Sequence, residues 1–365
     1  MRIGFFTDSY FPGIDGVTYT IDLWRAELES RGHEVFVVYP DGDYEPGPRE
    51  LPVRSLPNPF YPGYRVPTLR RPSSLPDLDV VHCHGPAPVG LLGRYYAYAN
   101  DLPAIYTHHT PIEEYFEQSV GREAIAGALS RLYVPLETAL LASFDVVTAS
   151  TARIDRDVEH VPLPVGIDTD FFEPTATDWY PEATVIGYSG RLSLEKHVEH
   201  VLQVAERLDE YQFVVVGEGP RRDQLEREAP ANVELRDFLP REDLPIFYSS
   251  LDAFVTASTG DTLGLSTLEA NACGTPVVAA DVPPFDQTIG PENGARYAHG
   301  DLEAMADAIE SCLTAERDTR AAVEAYDVTH TLESLESLYR HGRLPADERA
   351  SEAEDDWSLS DDTVE

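Results

Sequence analysis

The stretch that decides the fold runs from Ser258 to Val278 and reads STGDTLGLSTLEANACGTPVV. The pattern predicts a polar loop, a helix that begins at about Leu265, and a stop at Gly274-Thr275-Pro276 before a buried strand. An apolar run, Ala253 to Ala257, precedes the loop as another strand pattern. A strand, a loop, a helix and a strand in this order are typical of a parallel sheet with helices on its faces.

The same alternation continues outward from this stretch. The strand patterns of the second half of the chain are Val185–Tyr188, Phe213–Val216, Val233–Leu235, Ala253–Ala257 and Val277–Ala280. The first half has strand patterns at Ile3–Phe6, Val35–Tyr39, Val80–His82 and Ala104–Thr107, and helical patterns at Tyr19–Ser30 and near Val89–Ala99. We therefore expect an α/β protein with two Rossmann-like lobes that face a central cleft.

The chain length agrees with two lobes, because 365 residues exceed what one compact core usually holds. We expect a first lobe over residues 1–167 and a second lobe over residues 168–325, joined by a turn-rich segment that ends at Pro174. A helical pattern within residues 326–344 is expected to pack back on the first lobe. Residues 345–365 are strongly acidic, and we expect a disordered tail.

The charge of the chain is extreme, with a formal net charge of -38 from 65 acidic and 27 basic residues. This composition is typical of a halophilic protein, because a Debye length of about 3 Å in molar salt screens self-repulsion. An apolar fraction of 42% argues against a disordered acidic protein. The negative field argues against a nucleic-acid partner.

The three cysteines, Cys83, Cys273 and Cys312, show neither disulfide nor metal-ligand spacing, which favours a reducing compartment. We recognise no signal peptide at the N-terminus. The longest apolar stretch, Leu129–Val147, carries charged residues and is not expected to span a bilayer. We expect a cytoplasmic protein, with peripheral contact at the inner face of the membrane if its acceptor is a lipid.

A single lysine, Lys196, occurs in the chain, five residues after Arg191. Its retention where arginine serves everywhere else indicates a site. Both residues lie between the strand pattern that ends at Tyr188 and a helical pattern that includes Val198 and Val201. The N-terminus of a helix that follows a strand is a common binding place for anionic groups.

The helix predicted at Leu265 offers a second anion site, because the first amides of a helix have no partner within it. The amides concerned belong to Gly264, Leu265 and Ser266. Asp261 and Glu269 lie on either side of this helix start. We expect the loop and the helix start to bind a diphosphate.

Two glycine-containing turns add weaker indications. Gly16 lies between the first strand and the first helix, where backbone amides can approach a phosphate or a sugar. Gly217 opens the turn GEGPRR, in which Arg222 stands where the dinucleotide fingerprint needs a third glycine. This departure disfavours an enzyme that uses a nicotinamide cofactor.

Over nearly the whole chain these motifs resemble the family 4 glycosyltransferases, which are retaining enzymes of the GT-B fold that use nucleotide sugars and no metal. Asp261 and Glu269 match the family's acidic pair eight residues apart, with aspartate in place of the usual glutamate. The resemblance implies that Glu269 holds the donor ribose and that Asp261 holds the hexose together with the amides of residues 264–266. It also implies that Arg191 and Lys196 grip the diphosphate. The expected donor site is completed by Gly16, Gly217 and Phe238.

The run Tyr106–Pro111 is similar to the family's histidine-threonine motif, with His109 aligned and His108 as a neighbour or core residue. The resemblance implies that His109 faces the transferred sugar. The expected catalytic residues are His109, Asp261, Arg191 and Lys196. The chain departs from the family pattern at Asp237, which replaces a glycine beside the nucleobase, and at Val165, which replaces an asparagine. The segment 149–164 is also shorter than usual.

One region runs against the acidic charge of the chain. Between Pro46 and Pro76, five arginines stand against Glu50 alone, among aromatic residues and prolines. Arginines and aromatic side chains suit contact with a lipid surface or an acceptor. An equally favoured hypothesis is a loop whose arginines form ion pairs with nearby acidic residues. The expected acceptor-binding residues are Asp15, Tyr64, Arg65 and Arg70.

The predicted reaction moves a hexose, with retention, from a UDP- or GDP-linked donor to a hydroxyl acceptor. The opening residues 2–12 are similar to lipid glycosyltransferases that make glycosyl diacylglycerols, which indicates a membrane lipid as one acceptor. A polyprenyl-linked or soluble acceptor stays open. Two alternatives from other classes stay open: a sugar-nucleotide epimerase or hydrolase of GT-B shape, and a non-catalytic sugar-nucleotide-binding protein. No metal ion and no cofactor are expected.

Overall fold

The computed structural model describes residues 1–13, 15–57, 65–68, 75–109, 123–151, 154 and 156–341. The acidic tail predicted for residues 345–365 lies outside the described residues, as do two of the expected acceptor residues, Tyr64 and Arg70.

The first lobe is built on a parallel sheet. Its strands are β1 (Arg2–Phe6), β2 (Glu34–Pro40), β3 (Glu50–Val53), β4 (Ser55–Pro57), β5 (Arg65–Pro67), β6 (Val80–Cys83), β7 (Ala104–His108), β8 (Val146–Ala149) and β9 (Val161–Pro162). Seven of them pair in the order β3-β2-β1-β6-β7-β8-β9, and β4 and β5 form a separate antiparallel hairpin. The central strands β1 and β6 are mostly apolar and, apart from the half-buried Arg2, buried, as strands covered on both faces are.

The helices of the first lobe are α1 (Gly16–Ser30), α2 (Pro88–Asn100) and α3 (Glu123–Leu141). Asp15 caps α1, since its carboxylate accepts the amide of Thr18 at 2.8 Å. Asp8, just beyond β1, caps α2 by accepting the amides of Val89 at 2.9 Å and Gly90 at 3.3 Å. These caps fix the two helix N-termini beside the carboxyl end of β1.

The second lobe repeats the design. Its strands are β10 (Val185–Ser189), β11 (Gln212–Val216), β12 (Val233–Arg236), β13 (Ala253–Thr256), β14 (Val277–Ala280) and β15 (Gly294–Tyr297), all parallel in the order β12-β11-β10-β13-β14-β15. Its helices are α4 (Val198–Arg207), α5 (Arg222–Glu228), α6 (Leu244–Ser249), α7 (Leu265–Ala272), α8 (Phe285–Thr288) and α9 (Leu302–Thr314). Short 3₁₀ turns occupy Leu194–Lys196, Arg241–Asp243 and Ala321–Tyr326.

The last helix, α10 (Val328–His341), lies against α1 of the first lobe. The hydroxyl of Tyr339 lies 2.7 Å from Nδ1 of His82, and a carboxylate oxygen of Glu336 lies 2.7 Å from Nε2 of His33. Thr331 donates to the carbonyl of Pro164 at 2.8 Å. The last described helix thus packs on the first lobe.

The turn-rich segment between the lobes is held by hydrogen bonds from both sides. The indole nitrogen of Trp24 donates to the carbonyl of Val165 at 2.7 Å. The guanidinium of Arg320 donates to the carbonyls of Thr169 at 2.7 Å and Phe172 at 2.9 Å. These bonds satisfy backbone carbonyls that would otherwise be buried without a partner.

The predicted α/β class with two parallel-sheet lobes is confirmed. Several strands were missed, namely β3, β8, β9 and β15 and the β4–β5 hairpin. Each has only two to four residues, and all except β8 contain a proline, or a glycine and an arginine, which weaken a strand pattern. Across the ranges given above, no helix has both the length and the apolarity that crossing a bilayer requires.

Candidate active site

The two lobes meet at the carboxyl ends of their strands. A Cβ atom on Gly16, which follows β1, would lie 3.8 Å from Cδ1 of Leu265, which follows β13. The guanidinium carbon of Arg241, which follows β12, lies 5.6 Å from the centre of the Tyr19 ring on α1. Ligands of open α/β sheets bind at this edge, so the cleft between the lobes is the candidate active site.

The single lysine forms an ion pair in this cleft. Nζ of Lys196 donates to Oδ1 of Asp261 at 2.7 Å, and the two side chains are only 17% and 23% exposed. The amide of Thr259 donates to the carbonyl of Glu195 at 2.9 Å and joins the same two loops. An ammonium group has three donors, so Lys196 can keep Asp261 and still bind an anion.

The turn that carries Arg191 is locked to the neighbouring turn. The hydroxyl of Tyr188 donates to the carbonyl of Arg191 at 3.0 Å. Gly217 has a φ of +150°, and a Cβ atom there would lie 1.9 Å from the carbonyl oxygen of Gly190, so no other residue fits. The structure therefore brings Arg191, Lys196 and Gly217 to one edge of the second lobe.

The N-terminus of α7 begins beside this ion pair. Gly264 has a φ of +76°, and a Cβ atom on it would lie 2.6 Å from the Phe285 ring. The amides of Thr267 and Leu268 already donate to the carbonyl of Gly264. In the part of the chain that the structure describes, the amides of residues 264–266 donate to no acceptor. They supply unpaired donors at the positive end of the helix.

Glu269 lies one turn inside α7 and accepts the hydroxyl of Tyr248 at 2.9 Å. Burial raises the pKa of this carboxyl, while the Tyr248 bond and the charge of Arg241 act in the opposite direction. Arg241 also lies over the Phe171 ring at 4.9 Å. The sequence did not single out Tyr248 or Arg241, because no motif separates them from the other tyrosines and arginines.

Phe238 lies at the far end of the second sheet, beyond β12, and is 50% exposed. The neighbouring carboxylate of Asp237 is 81% exposed and lies 3.4 Å from Arg222. The Arg222 guanidinium donates to the carbonyls of Gly217 at 3.0 Å and Arg236 at 2.7 Å. An exposed ring beside a glycine turn offers a flat apolar surface to a planar ligand.

His109 lies at the carboxyl end of β7 and is buried with His84, which follows β6. Nε2 of His109 lies 3.0 Å from Nδ1 of His84, and the two rings are stacked. Burial lowers the pKa of His109 to about 4 and lowers the pKa of His84 well below its usual value. Both imidazoles are therefore neutral at pH 7. His84 was not among the predicted site residues, although the pattern His82-x-His84 at a strand end was a usable signal.

Asp8 is another buried titratable group on this side of the cleft. Burial raises the pKa of its carboxyl to about 6, against the lowering effect of backbone hydrogen bonds from α2. Asp8 was not among the predicted site residues, because a single aspartate after a strand is not part of a recognisable motif.

Two expected acceptor residues are engaged within their own lobe. Asp15 caps α1. Arg65 donates from Nε to the hydroxyl of Ser55 at 2.7 Å and lies 3.3 Å from Asp41, which holds the β4–β5 hairpin together. The alternative interpretation of the basic region, arginines paired with nearby acids, therefore describes Arg65.

Two family models match adjacent parts of the chain. Glycosyltransferase Family 4 matches residues 14–171, and Glycosyl transferases group 1 matches residues 171–327. A GDP-mannose-dependent alpha-mannosyltransferase of Mycolicibacterium smegmatis is 31% identical over 314 residues, which cover 77% of this chain and 80% of that protein. The chain is a family 4 glycosyltransferase. The resemblance seen in its motifs is thereby confirmed.

The glycosyltransferase is also similar to two alpha-monoglucosyldiacylglycerol synthases. The protein of Streptococcus pneumoniae is 28% identical over 353 residues, covering 87% of this chain and 79% of that protein. The protein of Acholeplasma laidlawii is 25% identical over 330 residues, covering 79% and 82%.

Solved structures share the fold of the glycosyltransferase. Sucrose-phosphate synthase from Thermosynechococcus elongatus has a TM-score of 0.70 at 18% identity, with 93% of this chain and 98% of that chain covered. Anabaena HepE in complex with UDP and glucose has a TM-score of 0.69 at 17% identity, with 93% and 99% covered. The GT-B fold is thus confirmed.

Proposed function

We propose that this glycosyltransferase moves a hexose, with retention, from a nucleoside-diphosphate sugar to a hydroxyl group of a membrane lipid. The observation that carries the proposal is the Lys196–Asp261 ion pair beside the unpaired amides of α7. A cation and a helix N-terminus bind a diphosphate, and the carboxylate beside them binds sugar hydroxyls.

We infer one orientation for the donor in the second lobe. Its diphosphate lies between Lys196, Arg191 and the start of α7, and its ribose hydroxyls donate to Glu269. The exposed ring of Phe238 stacks on the base. The hexose then points toward the first lobe, where Gly16 approaches Leu265.

Catalysis in this arrangement is electrostatic. The bond between the anomeric carbon and the diphosphate oxygen breaks, and the acceptor oxygen bonds to the same face of that carbon. The acceptor proton passes to the leaving phosphate oxygen. Lys196, Arg191 and the positive end of α7 stabilise the charge that develops on the leaving group.

His109 acts as a neutral hydrogen-bonding group in this reaction. A pKa of about 4 leaves the imidazole uncharged at neutral pH, so it adds no cation near the oxocarbenium-like sugar. Its contact with His84 fixes the ring, which lets it hold a sugar hydroxyl in one position.

Two observations support a lipid acceptor. The similar synthases of Streptococcus pneumoniae and Acholeplasma laidlawii are named for a glycosylated diacylglycerol. The first lobe also exposes apolar side chains on adjacent elements: Leu56 (61%) and Val66 (45%) on the hairpin, and Leu91 (43%), Tyr95 (69%) and Tyr98 (77%) on α2. We call these five residues the apolar surface.

The apolar surface is continuous in the fold. Leu56 and Val66 are opposite each other in the β4–β5 pair, and α2 lies against β5. Leu91, Tyr95 and Tyr98 recur at helical spacing along one side of α2. Tyrosine and leucine side chains of this kind suit the boundary between lipid headgroups and acyl chains, which supports peripheral contact with a membrane.

Donor turnover with and without lipid tests the proposal. The full chain is incubated in molar KCl with UDP-glucose, UDP-galactose or GDP-mannose, with and without diacylglycerol or ether-lipid vesicles. We expect a glycolipid and released nucleoside diphosphate from one donor, only when vesicles are present. Release without lipid would support a hydrolase or epimerase instead, and no turnover with any donor would contradict the proposal.

The membrane contact is tested separately with the double variant Leu91→Ser/Tyr95→Ser. We expect weaker flotation with vesicles and lower glycolipid synthesis, but unchanged turnover with a short-chain soluble lipid. The matched control is Leu136→Ser, which removes a leucine that is 71% exposed on α3. Equal flotation of all three proteins would exclude the apolar surface as the membrane contact.

A further inference from the structure

Three histidines of the second lobe lie together outside the candidate active site. His197 follows the 3₁₀ turn Leu194–Lys196, His200 lies in the first turn of α4, and His299 lies in the loop between β15 and α9. One nitrogen of each imidazole lies within 4.8 Å of the corresponding nitrogens of the other two. The fold thus brings His299 close to two histidines that lie about 100 residues earlier in the chain.

The three rings are arranged as a cluster. The His197 and His299 rings have centroids 4.7 Å apart, and each is 5.3 Å from the centroid of His200. In a tetrahedral zinc site with bonds of about 2.0–2.1 Å, ligand nitrogens are about 3.4 Å apart. The three nitrogens, all within 4.8 Å of one another, would have to move closer together to bind one ion, and the exposed His299 ring, next to Gly300, has solvent on one side.

Two details point to a ligand rather than to simple packing. Nδ1 of His200 is buried and has no hydrogen-bond partner among the described residues, which is costly for a polar atom. A carboxylate oxygen of Glu199 lies 3.6 Å from Nδ1 of His197, and the other oxygen lies 3.7 Å from Arg221. A carboxylate behind a histidine is the usual way to orient a metal ligand.

We propose that His197, His200 and His299 bind one divalent transition-metal ion of the zinc type. Three imidazoles are the ligands such ions prefer, and the exposed side of His299 leaves the fourth position to water.

The bound ion would connect loops that also hold the donor. His197 directly follows Lys196. Nε2 of His197 lies 3.2 Å from the hydroxyl of Thr259, two residues before Asp261, and the ion would replace this contact while Nδ1 stays beside Glu199. The His299 loop lies at the same carboxyl edge of the sheet. The ion thus holds together the loops next to the Lys196–Asp261 pair and has a structural role, with no part in sugar transfer.

Zinc binding by the full chain tests the site directly. Calorimetric titration of the metal-free protein with ZnCl₂ should give one tight equivalent, and Co²⁺ in its place should give the intense visible absorption of four-coordinate cobalt. His299→Ala should abolish the tight equivalent and the cobalt spectrum. Glu199→Gln should keep the stoichiometry and weaken the affinity by about 10- to 100-fold.

The control is His330→Ala, which removes an exposed histidine on α10 and should bind zinc as the wild type does. His299 is itself exposed, so loss of binding in His299→Ala is not expected to come from misfolding. Equal zinc uptake by wild type and His299→Ala, or wild-type binding without the cobalt absorption, would assign the metal to surface carboxylates and overturn the proposal. Because these readouts need no donor or acceptor, their outcome is independent of the transfer reaction.

Discussion

The two lobes share one architecture and place different chemistry at the same edge. The second lobe gathers charge: Lys196, Asp261 and a helix N-terminus meet within one cluster. The first lobe gathers neutral, buried groups: His109 and His84 bond to each other, and burial lowers the pKa of both. The contrast teaches that a repeated fold fixes where a ligand binds but not what holds it.

The difference follows from the two halves of the donor. A diphosphate carries full charges, which a cation and helix dipole stabilise. A hexose is neutral and becomes electron-poor at its anomeric carbon, so a cation beside it would oppose the reaction. We therefore infer that the second lobe holds the leaving group and, through Asp261, hydroxyls of the sugar, and that the first lobe adds a neutral hydrogen bond from His109 to the sugar.

The largest expected effect comes from removing the charge of the second lobe. Lys196→Ala loses a charge-assisted contact to the diphosphate, worth about 1.5–3 kcal/mol, so kcat/KM should fall about 10- to 150-fold. The control is Arg296→Ala, since Arg296 pairs with the exposed Asp281 at 3.4 Å on the same lobe. If kcat/KM fell equally in both variants, Lys196 would have no specific role in donor binding.

A smaller effect is expected from the neutral group of the first lobe. His109→Ala removes a hydrogen bond to the sugar and leaves His84 without its partner, so kcat should fall about tenfold while KM for the donor changes little. Steady-state kinetics with the preferred donor measures both parameters. A rise in KM at constant kcat would mean that His109 stabilises the bound donor and the transition state equally. Both lobes would then contribute to donor binding, which contradicts the contrast drawn between them.

The smallest effect concerns the burial of Asp8. Because its folded-state pKa of about 6 exceeds the ordinary carboxyl value, the folded protein holds a proton that the unfolded chain has released, and stability is lost as pH rises from about 4 to 6. Between about pH 4 and pH 6, the melting temperature of Asp8→Asn relative to that of the wild type should rise by about 2–4 °C. The exposed Asp43→Asn serves as the control. If the melting temperatures of Asp8→Asn and wild type changed with pH in the same way, burial would not raise the pKa of Asp8.

Much of the fold was predictable because its central strands are apolar runs of four or five residues between turn signals. The local sequence alone predicts strands at Val185 to Tyr188 and at Val277 to Ala280, and both segments are strands in the structure. The edge strand β15, Gly294–Tyr297, contains an arginine and a glycine. Its strand state depends on pairing with β14, which a local pattern does not contain.

The site was predictable where a local motif carries it. The lysine and the acidic pair were visible, and the structure brings Lys196 and Asp261 to 2.7 Å. The His84–His109 contact joins residues 25 positions apart through the register of β6 and β7. Arg241 reaches Tyr19 only because the lobes face each other. Contacts of this kind depend on tertiary structure. The sequence shows His109 and the pattern His82-x-His84 as candidates but does not show that His84 and His109 meet, and it gives no sign of Arg241.

The assignment of the diphosphate to the second lobe is tested most directly by measuring the binding of a nucleoside diphosphate that carries no sugar. Calorimetric titration with UDP and GDP compares wild type, Lys196→Ala and His109→Ala in molar KCl. We expect the better nucleotide to bind at least about tenfold more weakly to Lys196→Ala and to bind His109→Ala as it binds the wild type. Undiminished affinity in Lys196→Ala, or a comparable loss in His109→Ala, would contradict the assignment of the diphosphate to the second lobe.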